Sequence, residues 1–266
     1  MNGENPLNQP HTSRIYDYFL GGKDNYEIDR KAAQEILQAW PHIRQAARVN
    51  RQFMHRSTRF LAEAGIRQFL DIGTGIPTEP NLHQIAQRTV PDARVVYVDN
   101  DPLVLAHARA LMTMDNGAGA TTYIHGDVTD PAAILRAPEL TGLLDLNEPV
   151  GLSMIALLHF VESADINKIV STFLDALAPG SYLVICTITA DFAPEQVAAA
   201  QDVYRVRKLP AQVRTHEEVT SWFAGLELVE PGIVPPHRWG LEQTTEFAPS
   251  FDAKVSCYCG VGRKPA

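Results

Sequence analysis

Cysteine is scarce: 266 residues hold three thiols, and two of them, Cys257 and Cys259, stand one residue apart. Neighbours at that spacing point the same way along a strand and rarely close a structural disulfide. Free thiols in a reducing, cytoplasmic setting are the expectation. No second Cys/His pair lies at ligand spacing, so no metal site is expected. Long apolar runs are missing too. None approaches the roughly 18 residues that cross a bilayer, and no membrane span is expected. The opening, MNGENPLNQPHTSR, lacks a basic-then-apolar signal, so export is not expected. Basic residues are outnumbered, 23 Lys and Arg against 31 Asp and Glu, for a net charge of −8. Without a dense basic run the chain is ill suited to displace counterions from a duplex. A small-molecule substrate is expected, with no nucleic-acid or membrane partner.

What is present is ordinary globular composition, 45% hydrophobic and 20% charged. The spacing predicts three regions: a polar, mobile start over 1–12, a helical cap over 13–65 and an α/β domain over 66–266. In the cap, Ser13 can begin a helix ended by Gly21-Gly22, Asp24 or Asn25 a second, and Pro41 a third that runs to about Ala64. Strands then alternate with helices. They are expected at 68–72, 94–99, 121–125, 150–158, 181–187, 226–229 and 254–262, with helices opening at Pro77, Pro102, Pro131, Ser163, Pro194 and Thr215. Continuous apolar strands of this kind imply a mostly parallel seven-stranded sheet with helices on both faces.

Ligands of such sheets bind at the carboxyl ends of the strands. The first strand ends Asp71-Ile72-Gly73-Thr74-Gly75, whose glycines permit a tight turn. The third glycine of a dinucleotide fingerprint is absent, since position 78 is Thr. Asp71 would also repel a pyrophosphate at a helix N-terminus, yet suit a ligand carrying an ammonium and a sulfonium. This favours S-adenosylmethionine over a nicotinamide dinucleotide. Asp99, with Asn100 beside it, ends the second strand, where a carboxylate can accept from both ribose hydroxyls. Asp127 and Val128 follow the third and can meet adenine. Each acid alone could be a turn or cap residue, but successive acids stand about 28 residues apart, close to one strand–helix repeat.

FLDIGTG, VVYVDND, HGDV and IALLHFV resemble the ordered motifs of class I S-adenosylmethionine-dependent methyltransferases. RIYDYFLGGKDNYEIDR, AARVNRQFMHR, RQFLDIGTGIPTEPNLHQIAQ, LAPGSYLV, HRWG and GVGRKP bring the resemblance closer to one branch. That branch is the bacterial S-adenosyl methyltransferase family, first catalogued as a domain of unknown function. The resemblance covers nearly the whole chain. It implies a Rossmann-like fold with an N-terminal helical cap, S-adenosylmethionine as cofactor and S-adenosylhomocysteine as product. It implies no acceptor.

The same resemblance favours a lid at Tyr16–Asn25, where Gly22 would let the backbone approach and Lys23 or Asn25 would meet the methionine carboxylate. The plainer reading is a cap whose aromatics pack on the core. Asn50 and Arg51 can join the pocket. Methyl transfer is an in-line displacement in which positioning dominates and a base is optional. His159, after the fourth strand, and His237 are the candidate bases, though each can equally serve a loop. Tyr18, Arg238 and Trp239 are candidate substrate contacts, with Asp191 and Tyr204 weaker. Val234-Pro235-Pro236-His237 lacks the amide of the Asn-Pro-Pro-aromatic motif found in enzymes that methylate amino groups of nucleic acids. The expected activity is methyl transfer to a small molecule at oxygen or nitrogen. The alternatives are a non-catalytic S-adenosylmethionine-binding sensor and, more remotely, a nicotinamide-dependent oxidoreductase.

Overall fold

A computed structural model describes residues 9–112, 119–162, 165–241 and 248–266. The first eight residues of the start expected to be mobile over 1–12, a helix reaching Met114 and a helix opening at Ser163 lie outside these. Residues 9–12 are described and are held, His11 N–H donating to Asp29 at 2.9 Å and Thr12 beginning the first helix.

Seven strands form one sheet in the order β3-β2-β1-β4-β5-β7-β6. They are β1 (Gln68–Ile72), β2 (Arg94–Asp99), β3 (Thr121–His125), β4 (Gly151–Ile155), β5 (Tyr182–Ile188), β6 (Glu227–Leu228) and β7 (Cys257–Arg263). Strands β1 to β5 are parallel, while β7 runs antiparallel to both β5 and β6. The helices are α1 (Thr12–Leu20), α2 (Glu27–Ala39), α3 (Ile43–Glu63), α4 (Leu82–Thr89), α5 (Pro102–Met112), α6 (Pro131–Leu135), α7 (Pro138–Thr141), α8 (Ile166–Ala176), α9 (Pro194–Val206), α10 (His216–Ser221) and α11 (Pro249–Val255).

Both faces of the sheet are covered, which is why β2 reads Val-Val-Tyr-Val without alternation. On one face Leu70, Val96, Leu152 and Ile185 pack with Phe173 of α8 and Trp222. On the other, Phe69, Val95, Val184 and Cys186 pack with Phe53 and Leu61 of α3 and with Val255 of α11. The cap has its own core, in which Ile15, Phe19, Ile36 and Trp40 meet Val197, Ala200 and Tyr204 of α9. A buried ion pair, Arg14 Nε to Asp29 Oδ2 at 3.1 Å, locks α1 to α2. Asp29 also accepts the His11 and Tyr26 backbone N–H groups at 2.9 Å each, so its charge is fully engaged.

Several boundaries differ from the sequence reading. His11, rather than Ser13, caps α1, its ring accepting from the Ser13 N–H. Tyr26, rather than Asp24 or Asn25, precedes α2, because Asp29 reaches back to its N–H. Helix α4 opens at Leu82 instead of Pro77, after a loop capped reciprocally by Asn81 and Gln84. Strand β4 stops at Ile155, because Ala156 takes φ +56° and Leu158–Phe160 form one 3-10 turn. The final strand starts at Cys257, since Pro249–Val255 is helical.

Strand order reverses at β1, which lies between β2 and β4. That is where an open α/β sheet leaves a crevice outside its strand ends. Register then fixes what meets there: Ile72 pairs with Val98 and Asp99 with His125, so Gly73, Asp99 and His125 lie level across three strand tips, with Gly126 one residue beyond.

Candidate active site

A cavity of about 440 Å³ opens over these tips, within the range of small-molecule sites. Its floor contains Asp71, Gly73, Thr74 and Gly75 from β1 and its loop, Asp99 and Asn100 from β2, and Gly126, Asp127 and Val128 after β3. The three acids expected at strand ends therefore share one cavity. Gly73 has φ +74°, and a Cβ there would come within 2.6 Å of a Leu157 methyl. Only glycine lets the chain turn that tightly under the β4 loop.

The acids differ in how they are held. Asp99 is buried, and its Oδ2 accepts the Gly75 N–H at 2.8 Å while Oδ1 accepts that of Asp101 at 2.9 Å. Burial still raises its pKa above the ordinary carboxylate value. Each oxygen keeps a lone pair beyond the backbone bond, so further donors can be met. Asp71 is pushed up to about 6, chiefly by burial; the neighbouring Ser153 and Thr74 side chains and the Arg51 charge pull the other way. Asp127 is exposed at the rim and takes the Thr129 N–H and hydroxyl on Oδ1, at 2.9 and 2.7 Å.

The remaining walls come from the cap and from two loops. His11, Thr12, Ser13 and Tyr16 line the cavity from α1, and Asn50, Arg51 and Met54 from α3. The Ser13 hydroxyl donates to the buried Asp101 carboxylate at 3.1 Å, so the start of α1 is latched to the loop after β2. Arg51 donates from Nη2 to the Thr78 carbonyl and, at 2.9 Å, to that of Pro80, which pins the loop after β1 to α3. Phe160, Val161, Glu162, Leu209 and Pro210 complete the wall beyond β4. From behind, Arg214 supports this side by donating to the Leu158 and Val161 carbonyls at 3.3 and 2.5 Å.

Other candidates lie elsewhere. Asn25 is turned into the cap, donating to Asp17 at 2.7 Å and to the Gly22 carbonyl at 3.0 Å. Gly22 donates to the Asp17 carbonyl, and Lys23 is exposed; none of the three lines the cavity. Tyr18 lies under the Arg44 guanidinium, 4.8 Å from its ring centre. His159 is buried beside β5, its Nδ1 3.3 Å from the Thr187 hydroxyl. Burial, reinforced by Arg214, holds its pKa down to about 3, and it is not part of the cavity wall. His237 and Arg238 both pair with Asp252 of α11, at 2.9 and 2.8 Å. Trp239 packs edge-on against Phe53 and Phe60 in the core. Asp191 accepts the His216 N–H, and Tyr204 belongs to the cap core. Sequence reasoning missed His11, Ser13, Leu209 and Pro210. Their only signals were a Ser beside a His in a polar stretch and a Leu-Pro step after a helix.

The model of a family described as S-adenosyl methyltransferase matches residues 5–265. A DUF574 family protein from Streptomyces avermitilis is 46% identical, covers 97% of this chain and 99% of its own, and superposes with a TM-score of 0.91. A candidate methyltransferase from Thermobifida fusca is 39% identical over 100% of both chains, with a TM-score of 0.89. The plantazolicin methyltransferase BpumL, solved in complex with S-adenosylhomocysteine, shares the fold at a TM-score of 0.53 over 95% of each chain, with 11% identity. No curated protein matches the chain.

Proposed function

The chain belongs to the S-adenosyl methyltransferase family, and from that premise we propose that it methylates a small organic acceptor, at oxygen or nitrogen, inside the cavity over the strand tips. The observation that carries this reading is the convergence of Asp71, Asp99 and Asp127 on one cavity. Those donor and acceptor groups fit S-adenosylmethionine. Asp99 would hold the ribose hydroxyls beside Asn100, and Asp127 and Val128 would meet the adenine edge. Asp71, its pKa raised to about 6 by burial, is placed to be held fully ionised by a cationic ligand. When bound, the donor supplies a methyl group on a positively charged sulfur.

The chain's own residues then do the positioning. Arg51 and Asp99 hold the two ends of the loop after β1, and Arg214 holds the turn that carries Phe160. Phe160, Leu209 and Pro210 offer the acceptor an apolar wall, which excludes water from the line of displacement. With His159 and His237 outside the cavity, this reading relies on alignment rather than on either imidazole as base. No helix among the described residues is long and apolar enough to cross a membrane, and Cys186, Cys257 and Cys259 are free; both support placing the enzyme in the cytoplasm.

Incubating the protein with labelled S-adenosylmethionine and fractionated cell metabolites tests the proposal. Label transferred to a small molecule supports it. Label transferred only to protein or nucleic acid, or to nothing while the donor binds, contradicts it.

A further inference from the structure

Tyr16 has one hydroxyl proton, and it goes to the Ala47 carbonyl at 3.1 Å. The phenol oxygen can therefore only accept from Asn50, whose Nδ2 stands 2.7 Å away. Burial pushes the Tyr16 phenol up, so the proton stays on it. The amide orientation follows. Turning it over would set the Asn50 oxygen against a phenol oxygen with no proton left to share. Oδ1 is thus held on the opposite side from Tyr16. Asn50 is 5% exposed, and its Oδ1 meets no donor among the described residues. Buried carbonyl oxygens left bare are rare in native proteins and usually mark a site for water or ligand.

The surroundings indicate what the ligand group is. Asn50 lines the cavity with Tyr16, Arg51, Met54 and Asp71, and Arg51, next to it in the chain, lies near enough to Asp71 for their charges to interact. This end offers two acceptors, Asn50 Oδ1 and the Asp71 carboxylate. It also offers one unspent donor: Arg51 Nη2 is committed to the Thr78 and Pro80 carbonyls, but its buried Nε has no partner among the described residues. Acceptors for a cation next to a donor for an anion complement a zwitterion, the form of an α-amino acid near neutral pH.

We propose that Asn50 Oδ1 accepts a hydrogen bond from the α-ammonium of the donor's methionine end, with Tyr16 as the positioning residue that fixes the amide. The assignment rests on the reading of the cavity as the S-adenosylmethionine site. It replaces Asn25, which is turned into the cap, and Lys23, which is exposed and does not line the cavity, as the cap's contribution to that end of the ligand.

The test is calorimetric binding of three probes to the intact chain. They are S-adenosylhomocysteine, its analogue without the amino group, and 5′-methylthioadenosine, which lacks the amino-acid end. Asn50→Leu raises the Kd for S-adenosylhomocysteine by roughly tenfold or more, as expected for a bond to a charged group, while the other two shift by less than about twofold. Asn50→Ser, measured alongside, gives the same pattern and keeps the comparison if the leucine variant does not fold. Tyr16→Phe raises the Kd for S-adenosylhomocysteine by roughly threefold to tenfold, again sparing the deaminated analogue. Equal losses on all three probes, or no loss on S-adenosylhomocysteine, overturn the assignment. A wild-type chain that binds none of the probes overturns the methyl-donor reading itself, a result distinct from either.

Discussion

Asp99 Oδ2 accepts the backbone N–H of Gly75 at 2.8 Å, which ties the tip of β2 to the glycine loop after β1. With Asp101 N–H on the other oxygen, the carboxylate is aimed before any ligand arrives. Asp99→Asn sets an amide NH2 against one of two backbone donors and removes the charge. It should weaken S-adenosylhomocysteine binding by roughly 1.5–3 kcal/mol, the worth of bonds to a charged acceptor. Calorimetry reads this directly, and an unchanged Kd removes the ribose role.

Asp71 makes binding depend on pH. Its folded pKa of about 6 lies above the ordinary 3.8, so between those values the native state holds more protons than the unfolded one. Stability therefore falls as pH rises from about 4 to 6 and is flat above, a cost of about 3 kcal/mol at neutrality. Asp71→Asn should remove that slope and raise stability at pH 7 by roughly 1–3 kcal/mol, as followed by urea unfolding at several pH values. A cationic ligand favours the ionised form. Binding of S-adenosylmethionine at pH 6 should then release protons, measured in buffers of different ionisation enthalpy. Proton uptake instead would contradict the placement of the ligand's charge.

The strand tips were legible in the sequence because a parallel strand buried on both faces has one reading, an apolar run, and its first polar residue marks the end. Asp99 follows from that alone, whereas Asp71, inside β1, and Asp127, two residues past the Thr-Thr-Tyr-Ile-His of β3, were marked by the glycine loop and by the even spacing of about 28 residues. The cap was less legible. Gly22, Lys23 and Asn25 looked like ligand contacts, but Asn25 has a closer partner in Asp17, and which of two polar partners wins is decided by packing. His237, Arg238 and Trp239 were misleading in the same way: Arg56 of α3 holds the Pro236 and Trp239 carbonyls, and Phe53 and Phe60 take the indole. The end of β4 was read too late because Leu157 and Leu158 are apolar for a different reason, as the wall and the buried side of a turn.

Gly73 offers a conformational test. At φ +74°, with Leu157 where a methyl would stand, Gly73→Ala should cost roughly 1–3 kcal/mol of stability through backbone strain and displacement of the β4 loop. Donor affinity should drop with it. Thermal unfolding and calorimetry on the same preparation separate the two, and a stable variant with normal affinity would show the loop to be free.

Trp239 tests the opposite case, a candidate contact that the fold uses as core. Trp239→Ala should destabilise by roughly 3–5 kcal/mol, the usual cost of emptying a buried aromatic site. At a temperature where the variant remains folded, its Kd for S-adenosylhomocysteine should match the parent. A stable variant with lost acceptor methylation would return Trp239 to the substrate site.

The most direct measurement is a crystal structure of the chain soaked with S-adenosylhomocysteine. The ribose hydroxyls should lie within hydrogen-bonding distance of Asp99, adenine beside Asp127 and Val128, and the amino-acid end beneath α3 beside Asp71. Ligand density at any other place, or those three carboxylates left without contact to it, would contradict the account.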